Sequence, residues 1–144
     1  MAGGKGSTFD NDLLKLIFNA TPIATIADNA ASTPLTNLYL SLHTADPGAG
    51  GSQTTSEAAY GGYARQPVAR TSGGFTVSGA AANLTAAILF PSATSGSETE
   101  TFAAVGTAVS GAGKILYRGP ISPTLVVSTG VQPQLTTSTQ FTEA

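Results

Sequence analysis

Four side chains in this sequence have the residue types and spacing that acid–base chemistry would need: His43, Asp46, Glu98 and Glu100. A nucleophilic triad would also need a serine on a sharp turn of the G-x-S-x-G type or an equivalent, and no such motif occurs in the chain. Paired-carboxylate hydrolysis needs two acids at a fixed separation. Glu98 and Glu100 would share one face of an extended segment, which is better interpreted as a solvated strand entry that discourages edge-to-edge aggregation. We therefore expect no catalytic residue, and we expect His43 to be an ordinary, partly exposed imidazole on a strand.

The sequence offers few ligands for a metal or a cofactor. The absence of Cys removes thiol catalysis and zinc–thiolate sites, and a single His leaves little basis for any zinc site. Asp46 and Glu57 lack the regularly spaced oxygen ligands of a calcium loop. We expect no metal, no cofactor and no enzymatic activity.

The charge pattern argues against nucleic acid and membrane as partners. The formal net charge is −2, and the Lys and Arg side chains are scattered rather than clustered. No apolar run approaches the roughly 20 residues of a membrane-spanning helix.

Charged residues make up 10% of the chain, against roughly 25% in an average soluble domain. A surface rich in small neutral side chains loses little rotamer entropy when a neighbouring subunit covers it, so the composition suits a protein that is buried in an assembly.

The elements that must position these residues are mainly strands. Leu38, Leu40 and Leu42 alternate with Tyr39, Ser41 and His43, which is typical of a strand with one face in a core. Short Gly-containing connections at 71–74 and 110–113 predict antiparallel hairpins. The pattern predicts an all-β fold, an antiparallel β-sandwich or jelly roll with a short N-terminal helix. The predicted strands are Thr36–His43, Gly62–Arg70, Gly74–Ser78, Ala86–Phe90, Thr99–Thr107, Lys114–Ile121, Leu125–Ser128 and Gln134–Thr142.

The first 35 residues are predicted to be a disordered tail, a short helix and a linker that precede a β domain over residues 36–144. Phe9, Leu14, Ile17 and Phe18 form a helix-period apolar stripe, with Asp10 as N-cap and Phe9 and Leu14 as the two ends of a hydrophobic staple. The helix should stop near residue 20. An isolated helix of this length does not persist in water, so it must dock on its own domain or on another subunit, and the linker over residues 19–34 allows both.

Two long loops, at residues 45–59 and 91–98, are candidates for contact with a partner. The first loop leads into Tyr60 and Tyr63, which flank a Gly pair, and Arg65 lies close by. Tyr and Arg side chains are favoured at protein interfaces. We therefore count Tyr60, Tyr63 and Arg65, together with the apolar stripe of the helix, as interface candidates. The alternative is that the tyrosines pack into the core of the β domain.

Three long strings give the sequence a family resemblance: LYLSLHTADPG from Leu38, QTTSEAAYGGYARQPVART from Gln53, and FAAVGTAVSGAGKILYRG from Phe102. From Thr36 to the C-terminus, the chain resembles a family of small tailed-bacteriophage virion proteins that often carry the label tail-fibre protein. In structure, the family resembles the β-jelly-roll cement proteins that staple the capsids of some short-tailed phages.

The resemblance implies a non-enzymatic capsid cement or decoration subunit that bridges neighbouring major capsid proteins. The resemblance also implies a symmetric homodimer on the capsid surface. The virion that carries it would be assembled in the host cytoplasm. The alternative is a tail or tail-fibre component that could bind host glycan, although the chain has no Trp and only 7% aromatic residues with which to build a sugar platform.

Overall fold

The fold is mostly β, with antiparallel sheets and one short N-terminal helix, as predicted, and it is consistent with an all-β sandwich. This computed structural model describes residues 6–23, 26–27 and 33–143. The elements are α1 (Ser7–Asn19), β1 (Asn37–His43), β2 (Gln66–Ala69), β3 (Phe75–Ser78), β4 (Ala81–Leu84), β5 (Ile88–Leu89), β6 (Ser97–Gly106), β7 (Ile115–Ser128), β8 (Gln134–Leu135) and β9 (Gln140–Thr142).

The strands form three sheets, with the orders β2-β1-β6-β7, β3-β4-β9 and β5-β8. Strand β1 pairs antiparallel with β6, from Tyr39 opposite Gly106 to His43 opposite Phe102. The predicted alternation in β1 is confirmed on its apolar face, because Leu38, Leu40 and Leu42 are all buried. Strands β2 and β7 are the two edge strands of the four-stranded sheet.

Several predicted strand limits were wrong. The residues predicted as two strands between 114 and 128 form the single strand β7. The register between β6 and β7 shifts between Glu100 and Phe102 of β6. The last predicted strand is divided into β8 and β9, which belong to different sheets. Strand β4 was missed because its sequence, AANL, lacks the β-branched and aromatic residues that favour strands.

Of the two predicted hairpin connections, one is confirmed and one was wrong. Residues 110–113 do connect the antiparallel strands β6 and β7. Residues 71–74 instead connect two different sheets, since β2 belongs with β1 while β3 pairs with β4. The hairpin of β3 and β4 turns at Gly79, whose φ of +58° is a left-handed conformation that suits glycine.

The chain divides into two compact units. Unit 1 comprises Met1–Asn37, Ala69–Ala87 and Thr136–Ala144, and unit 2 comprises Leu38–Val68 and Ile88–Leu135. Unit 1 therefore contains the helix and the sheet β3-β4-β9, and unit 2 contains β1, β6, β7 and the pair β5-β8. The predicted boundary near residue 35 stays a prediction.

The helix begins earlier than predicted. It starts at Ser7 with Gly6 in the N-cap position and without a side-chain cap, so the predicted N-cap, Asp10, lies inside the helix instead. The predicted staple between Phe9 and Leu14 was therefore placed in the wrong register. The predicted end is confirmed, because Ala20 adopts a left-handed conformation that terminates the helix. The remainder of the predicted tail, residues 1–5, and most of the predicted linker lie outside the described residues.

Of the two docking alternatives for the helix, the structure shows packing against its own unit. Leu14 and Phe18 are fully buried. The ring of Phe18 makes an edge contact with Phe75 at 4.8 Å between centroids and stacks on Phe141 at 5.4 Å. This aromatic cluster joins the helix to strands β3 and β9 and forms the core of unit 1.

Arg70 fixes the C-terminal end of the helix. Its guanidinium donates to the carbonyl oxygens of Leu16 and Ile17, each at 2.5 Å, and to that of Leu35 at 3.3 Å. The carbonyls of Leu16 and Ile17 belong to the last turn of the helix, where a cation is favourable. Among the described helical residues, no helix is long and apolar enough to cross a membrane.

Candidate functional site

The polar chemistry of unit 2 is concentrated around the β1–β2 connection, residues 44–65. The connection begins with the turn at Asp46-Pro47-Gly48, where the Gly48 N–H donates to Asp46 Oδ1 at 2.9 Å and Gly48 has a φ of +74°. Arg118 of strand β7 donates to the same oxygen at 2.7 Å. The backbone hydrogen bond first, and Arg118 second, lower the pKa of Asp46. The predicted turn is thus present and is tied to the outer strand of the sheet.

Gln53 anchors the middle of the connection. Its side chain is fully buried; Oε1 accepts from the Ala108 N–H at 3.0 Å, and Nε2 donates to the Tyr39 carbonyl at 3.3 Å. Two glycines make room for it: a Cβ at Gly106 or at Gly113 would lie only 2.2 Å or 2.1 Å from atoms of the Gln53 side chain. Gln53 is therefore a buried polar side chain whose hydrogen bonds and close packing hold the connection against the β6–β7 hairpin.

His43 is fully buried, so the prediction of a partly exposed imidazole was wrong. The cause is the connection itself, which folds over the strand: the Thr44 N–H donates to the Ser56 carbonyl, and the Ala58 N–H donates to the Leu42 carbonyl, both at 2.9 Å. These bonds extend the pairing of β1 beyond β2. The sequence alone did not indicate which segment would cover this strand.

The partners of His43 define its tautomer. Nδ1 lies 2.8 Å from the carbonyl oxygen of Thr55, which can only accept, so Nδ1 carries the proton. Nε2 then accepts from Ser41 Oγ at 2.9 Å. Burial lowers the pKa of His43, which keeps the ring neutral. Since Ser41 and His43 are both inaccessible, this pair serves to hold Thr55 in place, and no substrate could reach it.

Glu57 and Arg65 form a buried ion pair across the second half of the connection. Arg65 Nε donates to Glu57 Oε1 at 2.6 Å and Nη2 donates to Oε2 at 2.8 Å, which is a two-pronged contact. The same guanidinium donates to the carbonyls of Ala108 at 2.9 Å and Gly111 at 2.7 Å. Arg65 thus makes two hydrogen bonds to Glu57 within the connection and two to carbonyls of the β6–β7 turn.

Tyr63 links this ion pair to strand β1. Its hydroxyl donates to Glu57 Oε1 at 3.0 Å and accepts from the Leu42 N–H at 3.1 Å. Burial is the main reason that the pKa of Tyr63 is raised, so the phenol stays neutral. Its ring stacks on Phe90 at 6.2 Å and meets the ring of Tyr60 edge-on at 5.4 Å. The two tyrosines are therefore part of the interior of unit 2, which was the alternative interpretation from the sequence.

The other predicted loop, residues 91–98, packs against the end of the connection. The Gly61 N–H donates to the Ser95 carbonyl and the Thr94 N–H donates to the Gly61 carbonyl, both at 2.9 Å. Any side chain at Gly61 would collide with Ser95, because a Cβ there would lie 2.2 Å from Ser95 Oγ. The two long loops of the sequence are thus held together by backbone pairing.

Two carboxyl groups of strand β6 complete the site. Oε1 of Glu98 accepts from the backbone N–H groups of Ala59 and Tyr60, both at 2.8 Å. Glu100 is fully buried, so the prediction of a solvated strand entry was wrong for this residue. Tyr60 covers the region with its hydroxyl donating to the Pro91 carbonyl at 3.1 Å, and its pKa is raised to about 12, mainly by burial.

The structure distributes the predicted interface residues over both units. Leu14 and Phe18 in unit 1, and Tyr60 and Arg65 in unit 2, are buried within their own unit and offer almost no surface to a partner. Ile17 and Tyr63 are partly buried. Phe9 is the most accessible of the set, with 39% of its surface exposed.

Sequence reasoning missed Gln53, Glu57 and Glu100 as interior residues. All three are polar, and burial was predicted only from apolar periodicity. The proximity of Gln53 to glycine-rich segments was the one signal available, and it does not identify a partner. Among the described residues, no group of three or more His, Cys, Asp or Glu side chains could hold a metal ion.

In the middle of the connection the exposed side chains are small, polar and uncharged: Thr54, Thr55 and Ser56 are exposed, and Ser56 has a positive φ of 52°. The large apolar side chains that are exposed among the described residues are Phe9, Ile26, Leu35, Leu89, Val109, Val126 and Val131. Val126 lies on strand β7 and is 67% exposed. Among the described residues, the exposed surface therefore includes both small hydroxyl side chains and single large apolar side chains.

The sequence model of the family described as Podophage GP4 fiber I protein gp80 matches residues 10–140, which is almost the whole chain. The chain belongs to this family of phage virion structural proteins. No curated protein matches the chain significantly.

Proposed function

We propose that this protein is a non-enzymatic structural subunit of a phage fibre, which acts through the surfaces it buries against neighbouring subunits. The observation that carries the proposal is the match over residues 10–140 to a family described as a podophage fibre protein. This role agrees with a chain in which charged residues make up 10%.

The anchors of the β1–β2 connection support this proposal physically. Gln53, His43 and the Glu57–Arg65 pair are all satisfied inside unit 2, so the connection is ordered before any partner arrives. A pre-ordered surface avoids the entropy that a mobile loop would lose on binding. The exposed residues Thr54, Thr55 and Ser56 would then contact a partner without rearrangement.

A capsid cement subunit that bridges major capsid proteins is the second candidate. Its support is the resemblance of the sequence to jelly-roll cement proteins, together with the antiparallel β fold. Cement and fibre subunits would use the same physical device, repeated burial of modest interfaces that exist only in the assembled particle. The two candidates differ in the partner and in the location on the virion.

Self-association is part of the proposal in either case, because both kinds of structure are built from repeated copies. Strand β7 is an edge strand of its sheet and carries Val126, a highly exposed apolar side chain. We expect Val126→Lys to weaken self-association by about tenfold or more, because a contact surface would then have to bury an unpaired charge. Val109→Lys, at an equally exposed valine in the β6–β7 turn, is the matched control. Sedimentation velocity over a range of concentrations measures both variants.

The test of location is co-sedimentation of the purified protein with heads and, separately, with tails, each prepared from virions that lack this protein. Saturable binding to tails supports the fibre role. Saturable binding to heads, at a simple ratio to the major capsid protein, supports the cement role and contradicts the fibre role. Binding to neither contradicts both candidates.

A further inference from the structure

Glu100 is a buried carboxyl group that no hydrogen-bond donor of the described residues satisfies. It is fully buried on strand β6, and neither of its carboxylate oxygens accepts a hydrogen bond. A buried ionised carboxylate without donors is strongly unfavourable, and such a group normally takes up a proton instead. Glu100 is therefore held as a neutral acid at neutral pH.

Glu98 lies two residues earlier on the same strand and so points to the same side of the sheet. It is partly exposed, and its Oε1 accepts two backbone N–H groups, those of Ala59 and Tyr60. A protonated Glu100 can donate to this carboxylate, whereas an ionised Glu100 can only repel it. Burial first, and Glu98 second, raise the pKa of Glu100 to about 8.

The surrounding elements supply no compensating positive charge. From the β1–β2 connection the facing titratable group is Tyr60, a neutral phenol whose hydroxyl is already engaged by the Pro91 carbonyl. Across the sheet, strand β7 places Leu125 opposite Glu100 and Val127 opposite Glu98, and neither carries a charge. Among the described residues that face Glu98 and Glu100, none carries a positive charge, so a bound proton is the means of neutralising the pair.

We propose that Glu98 and Glu100 share one proton, and that this proton fastens the segment Ala59–Tyr60 to strand β6. When the proton is lost, the negatively charged carboxylates of Glu98 and Glu100 face each other in an environment that is largely shielded from water. Glu98 is the partner that can move toward solvent, because it is partly exposed while Glu100 is fully enclosed. Its movement would release the N–H groups of Ala59 and Tyr60. The end of the β1–β2 connection is therefore closed at neutral and acidic pH and loosened by alkali. This inference goes beyond the proposed function and does not depend on it.

The test is NMR of the full-length protein between pH 5 and pH 10, with side-chain carboxyl ¹³C and backbone amide signals followed together. We expect one glutamate to titrate near pH 8 and the amide signals of Ala59 and Tyr60 to shift with the same midpoint. Their amide protection, corrected for the intrinsic exchange rate, should fall about tenfold between pH 7 and pH 9, since the neutral fraction of an acid with a pKa of about 8 falls from roughly nine-tenths to roughly one-tenth over that interval.

The variant Glu100→Gln keeps a hydrogen-bond donor next to Glu98 but has no proton to lose. Its Ala59 and Tyr60 signals should not move between pH 7 and pH 9, and Asp12→Asn, at an exposed acid of the helix, should behave as the unaltered protein. The proposal is overturned if every glutamate of the unaltered protein titrates below pH 6, a result that needs no variant to fold. It is also overturned if the transition near pH 8 persists in Glu100→Gln.

Discussion

Replacing Arg65 by Met is the most informative perturbation of the β1–β2 connection. Met keeps most of the apolar stem but removes four hydrogen bonds, two to Glu57 and one each to the carbonyls of Ala108 and Gly111. It also leaves Glu57 as an uncompensated charge, and breaking one side of a buried ion pair costs about 3–5 kcal/mol. We expect the free energy of unfolding to fall by an amount in this range.

The exposed ion pair of the same unit provides a matched control. Arg118 lies 2.7 Å from Asp46, almost the same distance as the 2.6 Å between Arg65 and Glu57. The two side chains of the Arg118 pair are 32% and 46% exposed, whereas those of the Arg65 pair are 3% and 15% exposed. Exposed pairs contribute about 0–1 kcal/mol, so Arg118→Met should be nearly neutral.

The assay is urea unfolding followed by far-ultraviolet circular dichroism and by tyrosine fluorescence, with both probes fitted separately because the chain contains two compact units. Arg65→Lys should fall between the unaltered protein and Arg65→Met, since an ammonium cannot reproduce the planar two-pronged contact. The reasoning is refuted if Arg65→Met costs less than about 1 kcal/mol, or if Arg118→Met costs as much as Arg65→Met.

Three further predictions concern the cores and the buried imidazole. Gly113→Ala should lower the free energy of unfolding in urea by about 1–3 kcal/mol, because its Cβ would collide with Gln53. Gly50→Ala places its Cβ in open space and should change the free energy of unfolding by less than about 0.5 kcal/mol. Equal effects of the two substitutions would contradict the role of Gln53. Phe18→Ala should cost about 3–5 kcal/mol in the same assay, because it empties the centre of the aromatic cluster of unit 1, and a loss below about 1 kcal/mol would contradict that packing. His43 has a folded-state pKa below its ordinary value of 6.5, so the unfolded chain takes up the proton first and stability should fall as pH drops below about 6.5, by at most about 1.4 kcal/mol per pH unit. Glu100 has the opposite effect on the pH dependence of stability: its pKa is raised in the folded state, so stability should rise as the pH falls from about 8 to 4.5. The change of stability with pH that is due to His43 is therefore measured in the Glu100→Gln background. It should disappear when His43→Gln is added.

The features that sequence predicted well are those decided by near neighbours in the chain. The alternation of Leu38, Leu40 and Leu42 required only the two-residue period of a strand, and it was correct. The apolar positions Leu14 and Phe18 likewise followed from the helical period. The turn at 110–113 needed only its glycines and the flanking strands.

The features that sequence did not predict depend on residues far apart in the chain. His43 is buried because a segment more than ten residues later folds over it, and nothing in the local pattern of β1 indicates this. The partners of Glu98 are the amides of Ala59 and Tyr60, 39 and 38 residues away. Polar residues such as Gln53 enter the interior only when all of their partners are in place, so composition and periodicity alone assign them to the surface.

The same reason explains why Tyr60 and Arg65 were predicted as interface residues although both are buried within unit 2. Tyr60 and Arg65 have the residue types that dominate protein interfaces, and those types are equally suited to bonding buried backbone groups. In this chain they serve the interior. The exposed surface of the described residues instead includes small hydroxyl side chains such as Thr54 and scattered apolar side chains such as Val109 and Val126, which carry a weaker sequence signal.

The most direct test of the fibre role is immunogold electron microscopy of intact virions, with antibodies raised against the purified protein and virions that lack it as the control. The account predicts gold particles on the fibres attached to the tail region and no labelling of the control virions. Gold particles distributed over the head shell, with the tail region unlabelled, would contradict the fibre role and favour the capsid cement subunit.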